Sequence, residues 1–185
     1  TESNNSGEDF TKPAVIICNH QSHLDLAPML ALTPKIIVLT ADWVWKNPVY
    51  RFTIRNAEFL PASSGMDAIM PQLKSLVERG YSIAIYPEGT RSMDCSIGRF
   101  RQGAFHVAQT LGIDILPVVI YGTGKALKKR GRLLRKWPVH MEIDNRITPE
   151  EMKSMGETTR HQASQMRKYY QKRYTEIADR IEQDV

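Results

Sequence analysis

The sequence predicts an α/β fold, with a mostly parallel or mixed central sheet flanked by helices and a long helix at the C-terminus. Three observations predict it. Short continuous apolar runs rich in Val and Ile recur along the chain, the pattern of strands covered on both faces. Longer stretches with helical spacing separate these runs, the alternation of an α/β domain. The final stretch repeats Ala163, Met166, Tyr170, Ile177 and Ile181 at helical intervals, which lays one apolar stripe along the domain.

The elements follow in order. Strands are expected over residues 14–18, 36–40, 58–60, 82–86, 115–121 and 139–143. Helices are expected over 25–32, 67–79, 100–111 and 157–183. Pro28 is tolerable in the first of these only within its first turn. Gly80 and Gly112 stand where the second and third helices must stop. The 185 residues suit one domain, 1–185, with a core of about 14–145 and the C-terminal helix of about 157–183.

Apolar residues make up 42% of the chain, which excludes disorder as the default state. The net charge of +5 favours an acidic partner. Cys18 and Cys95 form no paired motif, so a structural zinc site is not expected. No apolar stretch is long enough to span a bilayer, and residues 1–12 lack the apolar centre of a signal peptide. The chain starts without methionine, as a processed form or a piece of a longer protein would.

The first chemical constellation is Asn19-His20-Gln21-Ser22-His23-Leu24-Asp25, directly after the first expected strand. Ligands of α/β sheets bind beyond the carboxyl ends of strands, which puts His20 where chemistry occurs. A carboxylate such as Asp25 can fix the imidazole tautomer and stabilise the imidazolium, making a general base. Asp25 also reads as a helix N-cap, and the two roles are compatible. His20, His23 and Asp25 together could instead ligate a metal, as in a hydrolase, although His106, His140 and His161 add no further ligand pattern. There is no nucleophile elbow, so His20 would activate an acceptor hydroxyl directly.

The second constellation is Tyr86-Pro87-Glu88-Gly89-Thr90-Arg91-Ser92, again at a strand end. Gly89 permits close backbone approach, and Thr90 offers a hydroxyl. Arg91 presents a fork suited to phosphate or carboxylate. Further on, Arg101 is a second anion contact, and Gly103 sits near a helix start where backbone and ligand can approach. Two polar strand-end motifs of this kind can converge on one crevice.

With these residues in view, the sequence resembles the glycerolipid acyltransferases, which include lysophosphatidic acid acyltransferase. Asn19-His20 through Asp25 matches their N-H-x-x-x-x-D signature, and Pro87 to Ser92 matches their P-E-G-T-R-S block. Leu116-Pro117-Val118 resembles their fourth block, in the right order. The resemblance covers about residues 14–145. It implies phospholipid biosynthesis, with catalytic His20 and Asp25 and with Glu88, Gly89 and Arg91 in the acceptor site. Arg91 would lie near a phosphate. It implies an acyl-coenzyme A or acyl carrier protein as co-substrate, a lipid acceptor, and no metal or redox cofactor. One departure concerns the second block, where the family has Asp then Arg. Ala62 stands at that Arg position within 56–63, which leaves the acceptor's identity open.

Residues 125–137 interleave Lys and Arg with Leu127, Leu133, Leu134 and Trp137. Each cation near an anionic membrane adds about 1 kcal/mol, so this stretch can dock on a membrane or on an acidic carrier protein. Residues 42–50, rich in Trp, are either core or a second interfacial patch. No recognition motif for nucleic acid is present. The expected location is cytoplasmic, peripheral on the inner face of a membrane, alone or as a domain of a longer membrane protein. Besides the acyltransferase and the metal-dependent hydrolase, a non-catalytic module that binds lipid or phosphate is the remaining reading.

Overall fold

A computed structural model describes residues 2–4, 6–40, 59–61, 66–131 and 133–183. The Val- and Ile-rich runs form strands: β2 (Val15–Cys18), β3 (Ile36–Thr40), β5 (Ser82–Ile85), β6 (Ile115–Tyr121) and β7 (His140–Ile143). Two short strands complete the sheet, β1 (Glu2–Asn4) and β4 (Phe59–Pro61). The spatial order is β1-β7-β6-β2-β5-β3-β4. Every described pairing is parallel except β6 with β7, so the sheet is mixed, as expected.

Alternate residues of the buried runs feed opposite faces. On one face, Val15, Ile17, Ile37, Ile83, Ile85 and Val119 pack under α2 (Met66–Glu78), α3 (Gly103–Leu111) and α6 (Thr159–Glu182). On the other, Ile16, Cys18, Val38, Ala84 and Ile120 pack with Met29 of α1 (Leu26–Ala31) and with Phe10. The helix stops behave as expected: Gly80 and Gly112 both adopt positive φ, at 88° and 64°.

All five apolar positions expected on the inner face of α6 are buried. Its outer flank is fixed to β7 by charge. Arg173 bonds Asp144 at 2.9 Å and Glu142 at 2.7 Å, Arg180 bonds Glu142, and Tyr169 donates to Asp144 at 2.7 Å.

Two helices and one strand are not expected, and two expected helices start later than expected. α4 (Thr123–Ala126) and α5 (Pro149–Met155) lie where no helix is expected. α5 carries a capping box, with Glu151 N–H donating to Thr148 Oγ1 at 3.2 Å and Thr148 N–H donating to the Glu151 carboxylate at 2.8 Å. β1 is polar and pairs with β7 in parallel, Ser3 opposite Glu142. The helix expected over 100–111 begins only at Gly103, and that expected over 25–32 is a 3-10 turn at His23–Asp25 followed by α1. The aromatic stretch 42–50 and Ala62 lie outside the described residues. No helix among those described is long and apolar enough to cross a membrane.

Candidate active site

β2 and β5 are adjacent and in register, Ile17 opposite Ile85, so the loops that follow them meet. Asn19 leaves β2 in a particular way. Its buried carboxamide donates to Ile120 O and accepts from Ile120 N–H, both at 2.8 Å. The side chain thus continues the ladder to β6 while the backbone is free to turn. His20 leaves the sheet at a fixed point.

The imidazole Nδ1 of His20 lies 2.8 Å from Asp25 Oδ2. Facing a carboxylate oxygen, Nδ1 carries the ring hydrogen and Nε2 keeps the lone pair. Asp25 is fully buried, and the same Oδ2 also accepts from Gln21 N–H at 2.7 Å and Ser22 N–H at 2.9 Å. Its side chain makes no cap bond to α1. The carboxylate therefore points back across the 3-10 turn towards the strand end. Tyr86 stacks on the other side of the ring, with centroids 4.2 Å apart and planes at 23°.

Glu88 joins the two loops. It is buried, and its oxygens accept from His20 N–H and Gly98 N–H, each at 2.9 Å. Burial pushes its carboxyl up from the usual range, against the pull of those two amides. Glu88→Gln would set an NH2 donor against one of these N–H donors. It is expected to cost roughly 1–3 kcal/mol, a melting temperature lower by about 2–12 °C. Thermal unfolding followed by circular dichroism reads this directly, and an unchanged melting curve would mean the clamp contributes nothing.

The remaining expected site residues gather beyond Glu88. Gly89 adopts φ of 67°, and a Cβ there would stand 2.9 Å from Arg101 Nε. Its lack of a side chain is what lets Arg101 lie across the turn. Arg101 N–H donates to Pro87 O at 2.7 Å. Arg91 donates to Lys129 O at 3.2 Å, and Lys129 Nζ donates to Thr90 Oγ1 at 3.0 Å and to Arg91 O at 2.6 Å. Glu88, Thr90, Arg91 and Arg101 line one cleft of about 870 Å³. Gly103 opens α3 one residue past the cleft wall at Gln102.

His23 is held below its ordinary pKa by burial and by Arg91. Among the described residues no three of His, Cys, Asp or Glu gather into a set able to hold a metal ion.

Sequence reasoning missed the tyrosines. Pro117 sits inside the central strand β6, opposite Ile17, and its missing N–H falls on the β7 side, where its carbonyl accepts from Asp144 N–H at 3.0 Å. On the β2 side the hydroxyl of buried Tyr170 bridges the ladder, accepting from Val118 N–H at 3.1 Å and donating to Ile17 O at 2.6 Å. One turn on, Tyr174 donates to Gln21 Oε1 at 3.0 Å, and Gln21 Nε2 donates to Cys95 O at 2.8 Å. Both tyrosines fit the apolar stripe of α6, so their hydroxyls were invisible to periodicity.

Comparison with known proteins follows the same lines. The family model described as Acyltransferase matches residues 2–121. The chloroplastic 1-acyl-sn-glycerol-3-phosphate acyltransferase LPAT1 of Arabidopsis thaliana is 32% identical over 120 residues, 62% of this chain and 33% of that protein. The 1-acyl-sn-glycerol-3-phosphate acyltransferase alpha of Mus musculus is 26% identical over 164 residues, 82% of this chain and 57% of that protein. The chain therefore spans less than two thirds of the length of these relatives. The crystal structure of the 1-acyl-sn-glycerophosphate (LPA) acyltransferase PlsC from Thermotoga maritima shares the fold, with a TM-score of 0.69 at 22% identity, over 96% of this chain and 68% of that one. With its family model matched across both strand-end loops, this chain belongs to the acyltransferase family.

Proposed function

We propose that this chain moves a fatty-acyl group from a thioester to a hydroxyl of a lysophosphatidic-acid-like lipid or another hydroxyl-bearing lipid. The observation that carries this reading is the 2.8 Å pairing of His20 with fully buried Asp25, set against the Pro87–Ser92 loop. His20 Nε2 takes the proton of the acceptor hydroxyl as its oxygen attacks the thioester carbonyl. The C–S bond breaks, and the imidazolium returns the proton to the departing sulfur. Asp25 orients the ring and stabilises the imidazolium. The Tyr86 face holds the ring flat. Arg91 and Arg101 supply cations for an acceptor phosphate. Neither metal nor redox cofactor enters these steps, and the donor is an acyl-coenzyme A or an acyl carrier protein.

The test is thiol release from a long-chain acyl-coenzyme A with lysophosphatidic acid and a panel of hydroxylated lipids. Acceptor-dependent release supports the reading and names the acceptor. No release with any acceptor, from coenzyme A or carrier-protein thioesters, overturns it.

The reading includes docking on an anionic membrane through the basic loop. Leu133 and Leu134 are 81% and 70% exposed and flanked by Lys128, Arg130, Arg135 and Lys136. The loop is tied to the site, since Ser22 Oγ donates to Leu127 O at 2.8 Å. Leu133→Ser/Leu134→Ser is expected to weaken binding to phosphatidylcholine–phosphatidylglycerol vesicles by about tenfold or more, from about 1.5–3 kcal/mol per buried leucine. Co-sedimentation measures it, and equal binding of the variant would remove the loop from the docking surface.

A further inference from the structure

The cleft beside Glu88 holds more positive charge than an acceptor phosphate needs. Arg91, Arg99, Arg101, Arg160 and Arg167 all line its 870 Å³. Arg160 and Arg167 stand two turns apart on one face of α6. Two carboxylates also line the cleft, and both are engaged elsewhere. Glu88 spends its oxygens on the His20 and Gly98 amides. Asp94 accepts from Ser92 Oγ at 3.0 Å and from Ser96 Oγ at 2.7 Å, bonds that hold its pKa at about 2.

Among the described residues, none of the five arginines pairs with a carboxylate. The guanidinium groups of Arg99, Arg101 and Arg160 have no hydrogen-bond partner there. The other arginines that brace this fold are treated differently. Arg146 pairs with Glu8 and Asp114, Arg173 with Glu142, Asp144 and Glu176, and Arg180 with Glu142. Unpaired like charges in one concavity repel one another, and an anionic ligand relieves that repulsion. Guanidinium forks are matched to phosphate oxygens. The volume is within the roughly 300–1,000 Å³ of small-molecule sites.

We infer that this cleft, at Arg99, Arg160 and Arg167, takes the phosphorylated nucleotide end of a coenzyme A donor. The inference rests on the acyl-transfer reading and makes its donor an acyl-coenzyme A. Coenzyme A carries a diphosphate and a 3′-phosphate on its nucleotide, enough negative charge for several guanidinium groups. A carrier-protein thioester brings a single phosphodiester, attached to a protein surface that suits a convex basic patch better than a cleft. Glu88 connects the two ends of the arrangement, walling the cleft with one flank while its carboxylate holds the His20 amide. The flexible pantetheine arm would pass over that wall to bring the thioester to His20, leaving Arg91 and Thr90 for the acceptor.

The experiment is calorimetric titration of the full chain with free coenzyme A, dephospho-coenzyme A and inorganic phosphate, in the native form, in Arg160→Gln and in Arg160→Gln/Arg167→Gln. The single variant guards against misfolding, because Arg160 is exposed and makes no hydrogen bond or ion pair among the described residues. The double variant is expected to bind coenzyme A at least tenfold more weakly, and the single variant about threefold. Dephospho-coenzyme A should bind the native chain more weakly than coenzyme A. The ratio of kcat/KM for acyl-coenzyme A to that for the matching acyl-pantetheine should fall by the same tenfold in the double variant. Unchanged coenzyme A affinity overturns the inference. So does a raised acceptor KM at constant coenzyme A affinity, or a preferred carrier-protein donor that depends on the same arginines. Binding of free coenzyme A needs no turnover, whereas thiol release from acyl-pantetheine by the native chain reads acyl transfer alone, so the two readings fail separately.

Discussion

His20→Ala is expected to lower kcat/KM for acyl transfer by about 1,000-fold or more while leaving the melting temperature near that of the native chain. The ring makes one hydrogen bond, to Asp25, and stacks on Tyr86, so its removal costs little packing. Its backbone bonds to Glu88 and Ser92 are independent of the side chain. Asp25→Asn is the companion test. Its amide oxygen can still accept from Gln21 and Ser22, so the turn persists, but the charge opposite the imidazolium is gone. A loss of about 100- to 10,000-fold is expected from that change alone. Steady-state thiol release measures both, and free imidazole should partly restore His20→Ala. A His20→Ala rate equal to the native one would sink the general-base assignment.

Tyr170→Phe carries the largest expected effect on stability. The ring stays, so a purely apolar role predicts no change. The hydroxyl, however, stands between β2 and β6, bridging Val118 N–H to Ile17 C=O. Without it, Val118 N–H and Ile17 C=O are left buried and unpaired. Each orphan costs about 1–3 kcal/mol. For a chain of this size the sum lowers the melting temperature by about 10 °C. Hydrogen exchange at the Val118 amide should accelerate in step. A melting temperature within a degree or so of the native value would show that the wedge is replaceable.

These two tests also mark where the sequence could and could not be read. His20 and Asp25 are five residues apart across one turn, and each chemical loop follows an apolar run, so local pattern was enough to find them. That the two loops meet depends on β2 lying beside β5, and strand neighbours far apart in sequence leave no local trace. β1 escaped notice because an edge strand bonds through its backbone and needs no apolar side chains. α5 escaped although Thr148-Pro149-Glu150-Glu151 spells a helix start. Asn19 was visible as part of a motif, but its use as a substitute ladder rung is a property of Ile120, a hundred residues away. The unpaired state of the cleft arginines is likewise a fact about where Glu88 and Asp94 turn, which composition does not contain.

The position of α6 bears on what can be inherited or transplanted as a unit. The stretch matched by the family model ends at Tyr121, whereas the helix that wedges the strands begins at Thr159. A graft of that stretch alone would carry every letter of the two motifs and neither Tyr170 nor Tyr174. It would also leave Arg160 and Arg167 behind. Swapping only this helix between relatives is then a way to change the bracing, and the cleft's charge, while His20 and Asp25 stay as they are.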